Sequence, residues 1–306
     1  MAERPAPERQ NAQVSDRAGA VSHAVARGRE IRDPRACFGP SAGVRSGSLM
    51  RFVTYDRGGQ RRLGAILEGE VVDLPDAVGH PAFPTTLEGL VSRSRGTVMD
   101  AARAALARED AWDWRVKRPR ILTPLFPTSL LSPDSLDVER RLVGPEQEVP
   151  WPGGAAWLGY EPKVAAIVGL EARRVGPKEA ASRVFGYTLV SDWRAHDGSG
   201  APVETAEGVP IAIGPCVVSA DELDPQAMFL QLKIDGEEIA KGNLNGTARN
   251  LFGLVAATSE VATLERGDAL ALGPFGEADH RLWPGALVEL AAEGIGTLRN
   301  RIAPRA

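Results

Sequence analysis

Glu161 opens the apolar run Glu-Pro-Lys-Val-Ala-Ala-Ile-Val, and Lys163 follows two residues later. In an extended strand that spacing puts carboxylate and ammonium on one face. Pro162 between them has no ladder N–H, which suits a strand edge or a bulge where side chains are re-aimed. Further along, Ser-Asp-Trp-Arg-Ala-His-Asp carries Asp192, Trp193, His196 and Asp197. Carboxylates, an ammonium and an imidazole are groups that move protons or polarise a carbonyl. His196 can act as a general base near neutral pH, and Trp193 can line a pocket for an apolar or aromatic substrate. The alternative from residue type alone is that Glu161 and Lys163 face solvent at a strand end and His196 sits in a surface loop. Asp197 reads as a structural hydrogen-bond acceptor. His80 and His280 are isolated. No Gly-x-Gly-x-x-Gly or Walker pattern occurs, so nucleotide binding has no support.

These residues need strands to hold them. The segments 157–169 and 186–193 read as strands, with a short helix at Pro-Lys-Glu-Ala-Ala-Ser-Arg-Val-Phe between them. Asp235-Gly236 between apolar flanks marks a hairpin, and Gly246–Leu264 reads as the one longer helix of this part. Upstream, 51–73 reads as short strands turning at Gly58-Gly59 and Glu68-Gly69, followed by helical Leu-Glu-Gly-Leu-Val-Ser-Arg and 98–110. The fold class is therefore α+β, mostly β. A small α+β domain covers 50–120 and a β-rich domain covers 121–306. Residues 1–49 are rich in Ala, Arg, Pro, Gly and Ser without an apolar period. They are expected to form a disordered, dispensable extension, with Met50 as the natural first residue.

The 306 residues are 43% apolar, enough for one or two real cores. A formal charge of −4 argues against an electrostatic nucleic-acid binder. No apolar run reaches a membrane-spanning length. The two cysteines, Cys37 and Cys216, read as free thiols in a reducing cytoplasm.

Several segments in order resemble the fumarylacetoacetate hydrolase family. The stretch 50–74 is similar to its small N-terminal domain. Val184–Asp197 is similar to the strand and loop that usually end in Asn-Asp-x-x-Ala-Arg-Asp. The segments 212–223, 232–239, 264–276 and 282–302 are similar to its later strands and turns. The resemblance implies a C-terminal mixed β-sheet roll, a homodimer, a small-molecule substrate and a divalent cation, Mg²⁺ or Mn²⁺, held by carboxylates. It implies chemistry on keto or enol acids: C–C hydrolysis, decarboxylation, isomerisation or cyclisation. The family site needs Glu-x-Glu on one strand and Asp on the next; Glu161 and Asp192 fit the first and third positions.

The second position is Lys163. Two carboxylates beside an ammonium make a poor Mg²⁺ site, so the expectation is no metal or a weakly bound one. The family's Arg is His196, its lysine falls at about Thr205, and its Gly-Thr-Pro turn, whose hydroxyl contacts substrate, leaves Gly273-Pro274. The upstream segment that usually supplies a water-activating His and Glu has no histidine; its charged candidates are Asp134, Asp137, Glu139 and Arg140. The expected enzyme is thus a diverged relative using Glu161, Lys163, Asp192 and His196, with Trp193, Gly273 and Pro274 at the substrate. The alternative is a catalytically silent ligand-binding or scaffold paralogue.

Overall fold

The computed structural model describes residues 35–38, 49–93, 96–133, 141–203, 208–246, 250–275 and 280–305. Strands β1 (Arg51–Arg57), β2 (Gln60–Leu67) and β3 (Glu70–Asp73) form a meander. Its first turn places Gly58 and Gly59 at positive φ, where a missing Cβ removes the steric penalty. Helix α2 (Leu74–Val78) starts where the Asp73 side chain accepts from the Asp76 N–H, and stops at left-handed Gly79. Helices α3 (Leu87–Ser92) and α4 (Thr97–Leu106) follow, with Leu87, Leu90, Val91, Met99 and Ala102 buried.

The larger part contains β4 (Leu130–Leu131), β5 (Leu142–Val143), β6 (Trp157–Val168), β7 (Val184–His196) and β8 (Ile211–Ser219). These are followed by β9 (Leu230–Ile234), β10 (Glu237–Gly242), β11 (Ala269–Leu272), β12 (His280–Leu282), β13 (Leu287–Ala292) and β14 (Gly296–Arg301). One sheet runs β3-β2-β1-β8-β7-β6-β11-β4, with β12 also on β6 and β5 parallel to β8; the second runs β10-β9-β13-β14. This is the mixed, sheet-dominated α+β architecture that the resemblance implies. The β9–β10 turn has Asp235 and Gly236 at φ 51° and 86°, the pair of positive values a two-residue hairpin favours.

Strands β6 and β7 read as continuous apolar runs because both their faces are covered. Val164, Ala166 and Val168 enter one core with Tyr187, Leu189 and Trp193. Ala165 and Ile167 enter a second core with Phe52, Leu63, Leu90 and Ala102. That second core and the β1–β8 pairing, Arg51↔Val218 and Phe52↔Val217, carry a single sheet across the expected boundary at 120/121. The short helix expected between β6 and β7 is α5 (Pro177–Ala181); the helix expected over 246–264 is shorter: α6 spans Leu251–Val261, because the Asn250 side chain caps it at Gly253 N and Ala262 is extended. No helix among the described residues is long and apolar enough to cross a membrane.

One part of the 1–49 reading needs correction. Within the segment expected to be disordered, α1 (Arg35–Phe38) packs on β14. Cys37 and Phe38 are buried. The backbone of β14 makes room for it: a Cβ on Gly296 would lie 2.4 Å from the Cys37 carbonyl oxygen. An adjacent pair of apolar side chains sufficed where a periodic pattern was absent.

Candidate active site

Strands β6 and β7 pair antiparallel with Glu161 opposite Asp192 and Lys163 opposite Val190. Register partners project from the same sheet face, so Glu161, Lys163, Asp192 and Arg194 share one face. Lys163 is only 3% exposed. Its Nζ lies 2.8 Å from Asp192 Oδ2 and 2.8 Å from Glu161 Oε2. The first contact is an aligned hydrogen bond; the second is a charge contact without hydrogen-bond alignment, and Glu161 Oε2 accepts no hydrogen bond among the described residues. Arg194 Nε stands 3.4 Å from Glu161 Oε1, and Arg194 Nη2 stands 3.9 Å from Asp192 Oδ2. Its side chain is 44% exposed, so water screens those contacts more than the Lys163 pairs.

The lysine stem is held by the neighbouring strand. Leu272 pairs with Val164, which brings Gly273 against Lys163. A Cβ on Gly273 would lie 2.8 Å from Lys163 Cγ and 2.4 Å from the Pro162 carbonyl oxygen. The Gly273-Pro274 peptide is cis. Gly273 therefore leaves the space in which the lysine runs, a role its turn signature did not disclose.

Trp193 does not join the cluster. Strand alternation sends it to the opposite face, where it is fully buried and tilted against Tyr160 at 6.0 Å. That placement is core packing, whereas the sequence reading set it against substrate. Beneath the same face Tyr160 and Ser191 hydroxyls share a 2.9 Å hydrogen bond, and burial pushes the Tyr160 phenol up.

His196 lies on the cluster's face but four residues farther along β7 than Asp192, about 13 Å at the usual strand rise. It stacks on Trp157, with ring centroids 4.0 Å apart and 4° between planes. Its Nδ1 is 3.1 Å from the Gly200 carbonyl oxygen. A carbonyl only accepts, so Nδ1 carries a hydrogen. Asp197 caps the next turn, accepting from Ser199 N, Ser199 Oγ and Ala201 N. The hydrogen bonds from Ser199 and Ala201 hold its carboxyl below the ordinary carboxylate range. It is the structural acceptor its loop position predicted.

The candidates Asp134, Asp137, Glu139, Arg140 and Thr205 lie outside the described residues. Among the described residues no three His, Cys, Asp or Glu side chains are grouped to hold a metal ion. Sequence reasoning missed Arg194; its signal was the same two-residue spacing from Asp192 that related Glu161 to Lys163.

The mixed sheet, edged by a small meander, thus carries this charged cluster on its two longest strands. Residues 102–303 match the family described as Fumarylacetoacetate (FAA) hydrolase C-terminal, and the chain belongs to the fumarylacetoacetate hydrolase family. It is 29% identical over 175 residues to the 2,4-didehydro-3-deoxy-L-rhamnonate hydrolase of a Sphingomonas species, covering 53% of this chain and 61% of that one. It is 30% identical over 159 residues to the 4-hydroxyphenylacetate degradation bifunctional isomerase/decarboxylase of Salmonella dublin, covering 49% of this chain and 36% of that one. The chain thus spans less than two thirds of either protein. Among solved structures, maleylpyruvate hydrolase from Sphingobium sp. SYK-6, in complex with manganese(II) ion and pyruvate, has a TM-score of 0.67 at 22% identity, covering 84% of this chain and all of that one. At that identity the likeness is one of fold.

Proposed function

We propose that the protein is an enzyme acting on a small 2-oxo or β-diketo acid, by C–C hydrolysis, decarboxylation, isomerisation or cyclisation, at a centre built on Lys163 in place of a divalent cation. The observation that carries this reading is the Lys163 ammonium 2.8 Å from both Glu161 and Asp192. Two facing carboxylates repel each other and need a counter-cation or a proton. Here the cation is covalent. The residues present do not fit Mg²⁺ or Mn²⁺, because an ammonium competes for the oxygens that a hard cation requires.

Such a centre retains useful chemistry. An ammonium carries three donors, and Asp192 accepts one of them. Another can donate to a substrate carbonyl oxygen, where negative charge builds as an enolate forms; fixed donors in a water-poor site stabilise that charge strongly. Glu161, partly exposed and with Oε2 accepting no hydrogen bond among the described residues, takes the proton from the adjacent carbon. Asp192, nearly buried, orients the ammonium. The relatives that are a hydrolase and an isomerase/decarboxylase by name support keto-acid chemistry.

The test is loss of enol absorbance from acylpyruvates after exhaustive chelation, together with manganese calorimetry. Wild type should turn over the substrate with chelator present and bind no stoichiometric Mn²⁺, whereas Lys163→Glu should gain Mn²⁺ binding. Stoichiometric metal on wild type, with activity abolished by chelation, overturns the reading. A chain inert toward every acylpyruvate, metal or none, favours the silent paralogue.

A further inference from the structure

The charged cluster on β6 and β7 has a sealed side and an open one. Lys163 and Asp192 are buried, Glu161 is partly exposed and the Arg194 side chain is 44% exposed. The two cations are also held differently. Lys163 donates an aligned 2.8 Å hydrogen bond to Asp192. Arg194 Nε stands 3.4 Å from Glu161 Oε1, and its Nη2 stands 3.9 Å from Asp192 Oδ2. A charge-assisted hydrogen bond runs about 2.7 to 2.9 Å, so both contacts are loose.

A guanidinium binds most firmly when two of its N–H groups donate in parallel to one carboxylate. Arg194 instead sends one nitrogen toward each of two carboxylates, and both of these already touch Lys163. Neither carboxylate of the cluster therefore matches its fork, and Nη1 takes part in neither contact. Order along the face adds a second point. Glu161 turns Oε1 to Arg194 and Oε2 to Lys163, so the proposed base lies between the two cations. Lys163 Nζ and Arg194 Nη2 both approach Asp192 Oδ2, at 2.8 and 3.9 Å. One small ligand can reach both cations if its two oxygen-bearing groups are adjacent, as the carbonyl and carboxylate of a 2-oxo acid are.

We propose that Arg194 is the residue that binds the carboxylate of the substrate's 2-oxo acid unit and thereby sets its orientation. The acid group stays at the solvent edge on the Arg194 fork. The 2-oxo oxygen points inward to Lys163, and the carbon next to that carbonyl lies beside Glu161 Oε2. The inference rests on the keto-acid reading above and adds to it a specificity-determining residue that takes no part in proton transfer. An ester of the same acid has no anion for the fork and loses that anchor while keeping its carbonyl.

The experiment follows loss of enol absorbance with two probes that differ in one charge, acetylpyruvate and its methyl ester. Wild type should show a kcat/KM at least about tenfold higher for the acid, the worth of one charge-assisted contact, with the difference in KM and not in kcat. Arg194→Gln, a change at an exposed side chain checked by melting temperature, should bring that ratio below about threefold. Equal kcat/KM of wild type for acid and ester overturns the Arg194 assignment and spares the keto-acid reading, as does an Arg194→Gln variant that keeps the full ratio. A wild type that turns over neither probe overturns both readings.

Discussion

Lys163 and Asp192 are joined by a 2.8 Å hydrogen bond although they are not register partners: Asp192 faces Glu161 and Lys163 faces Val190. The ammonium therefore reaches diagonally, back toward the strand end, and inserts between two carboxylates that the register sets side by side. Nothing in the register demands that reach; electrostatics does.

Removing the ammonium while keeping the stem isolates the charge. Lys163→Met removes the buried ammonium between Glu161 and Asp192 and leaves the part-exposed Arg194 beside them, and breaking a buried pair in this way costs about 3 kcal/mol. The expected fall in melting temperature at neutral pH is roughly 6 to 12 °C for a chain of this size. Scanning calorimetry reads it. An unchanged melting temperature at pH 7 shows that the ammonium is not the counter-ion.

Gly273→Ala attacks the same arrangement from β11. Its methyl would have to occupy space 2.4 Å from the Pro162 carbonyl oxygen and 2.8 Å from Lys163 Cγ. One contact is backbone and cannot swing away, so the strands must separate or the lysine must move. The expected cost is about 1 to 3 kcal/mol, as for other overpacked sites, measured by urea unfolding. A neutral substitution would mean that the stem has slack.

Asp73 predicts an acid-dependent stability term far from the candidate centre. It accepts from the Tyr55 hydroxyl, from Arg62 Nε and Nη2 at 3.0 and 3.1 Å, and from Arg57 at 2.7 Å. Burial by itself would raise its carboxyl; the hydrogen bonds from Arg62, Tyr55 and the Asp76 N–H outweigh that and hold it below the ordinary range. The folded state thus binds this proton more weakly than the unfolded chain. The stabilisation is complete above the ordinary carboxylate range and fades as the pH falls through the lowered value. Asp73→Asn should cost on the order of 3 kcal/mol at pH 7 and flatten the acid limb of a stability–pH profile. A parallel profile for wild type and variant would assign the acid sensitivity elsewhere.

The legible part of this protein was the part written in short-range periodicity. Glu161 and Lys163 on one face, the Asp235-Gly236 hairpin and the meander turning at Gly58-Gly59 each follow from spacing and turn chemistry. Pairing across the sequence was not legible. The approach of Gly273 to the Lys163 stem depends on which strand lies beside β6. Trp193 was misplaced for a related reason: adjacency to Asp192 in sequence puts a strand residue on the opposite face, and the alternation rule that joined Glu161 to Lys163 should have separated Trp193 from Asp192. The α1 turn escaped because two apolar residues in a polar segment carry no period.

That turn gives the last prediction. Phe38 and Cys37 are buried against a strand whose Gly296 leaves room for the Cys37 carbonyl, and the Arg51 guanidinium lies over the Phe38 ring at 5.9 Å. Truncating a buried aromatic side chain usually costs 3 to 5 kcal/mol, but a single docked turn can move away with the loss, so about 2 kcal/mol is expected for Phe38→Ala. A chain begun at Met50 should lose a similar amount, or roughly 4 to 8 °C of melting temperature. The two changes remove the same contacts and are not additive. Hydrogen exchange adds a local readout: amides around Gly296 should lose protection in both variants while those in the β6–β7 ladder keep theirs. If the shortened chain melts within 2 °C of the full one and protection at Gly296 is unchanged, α1 contributes nothing to stability.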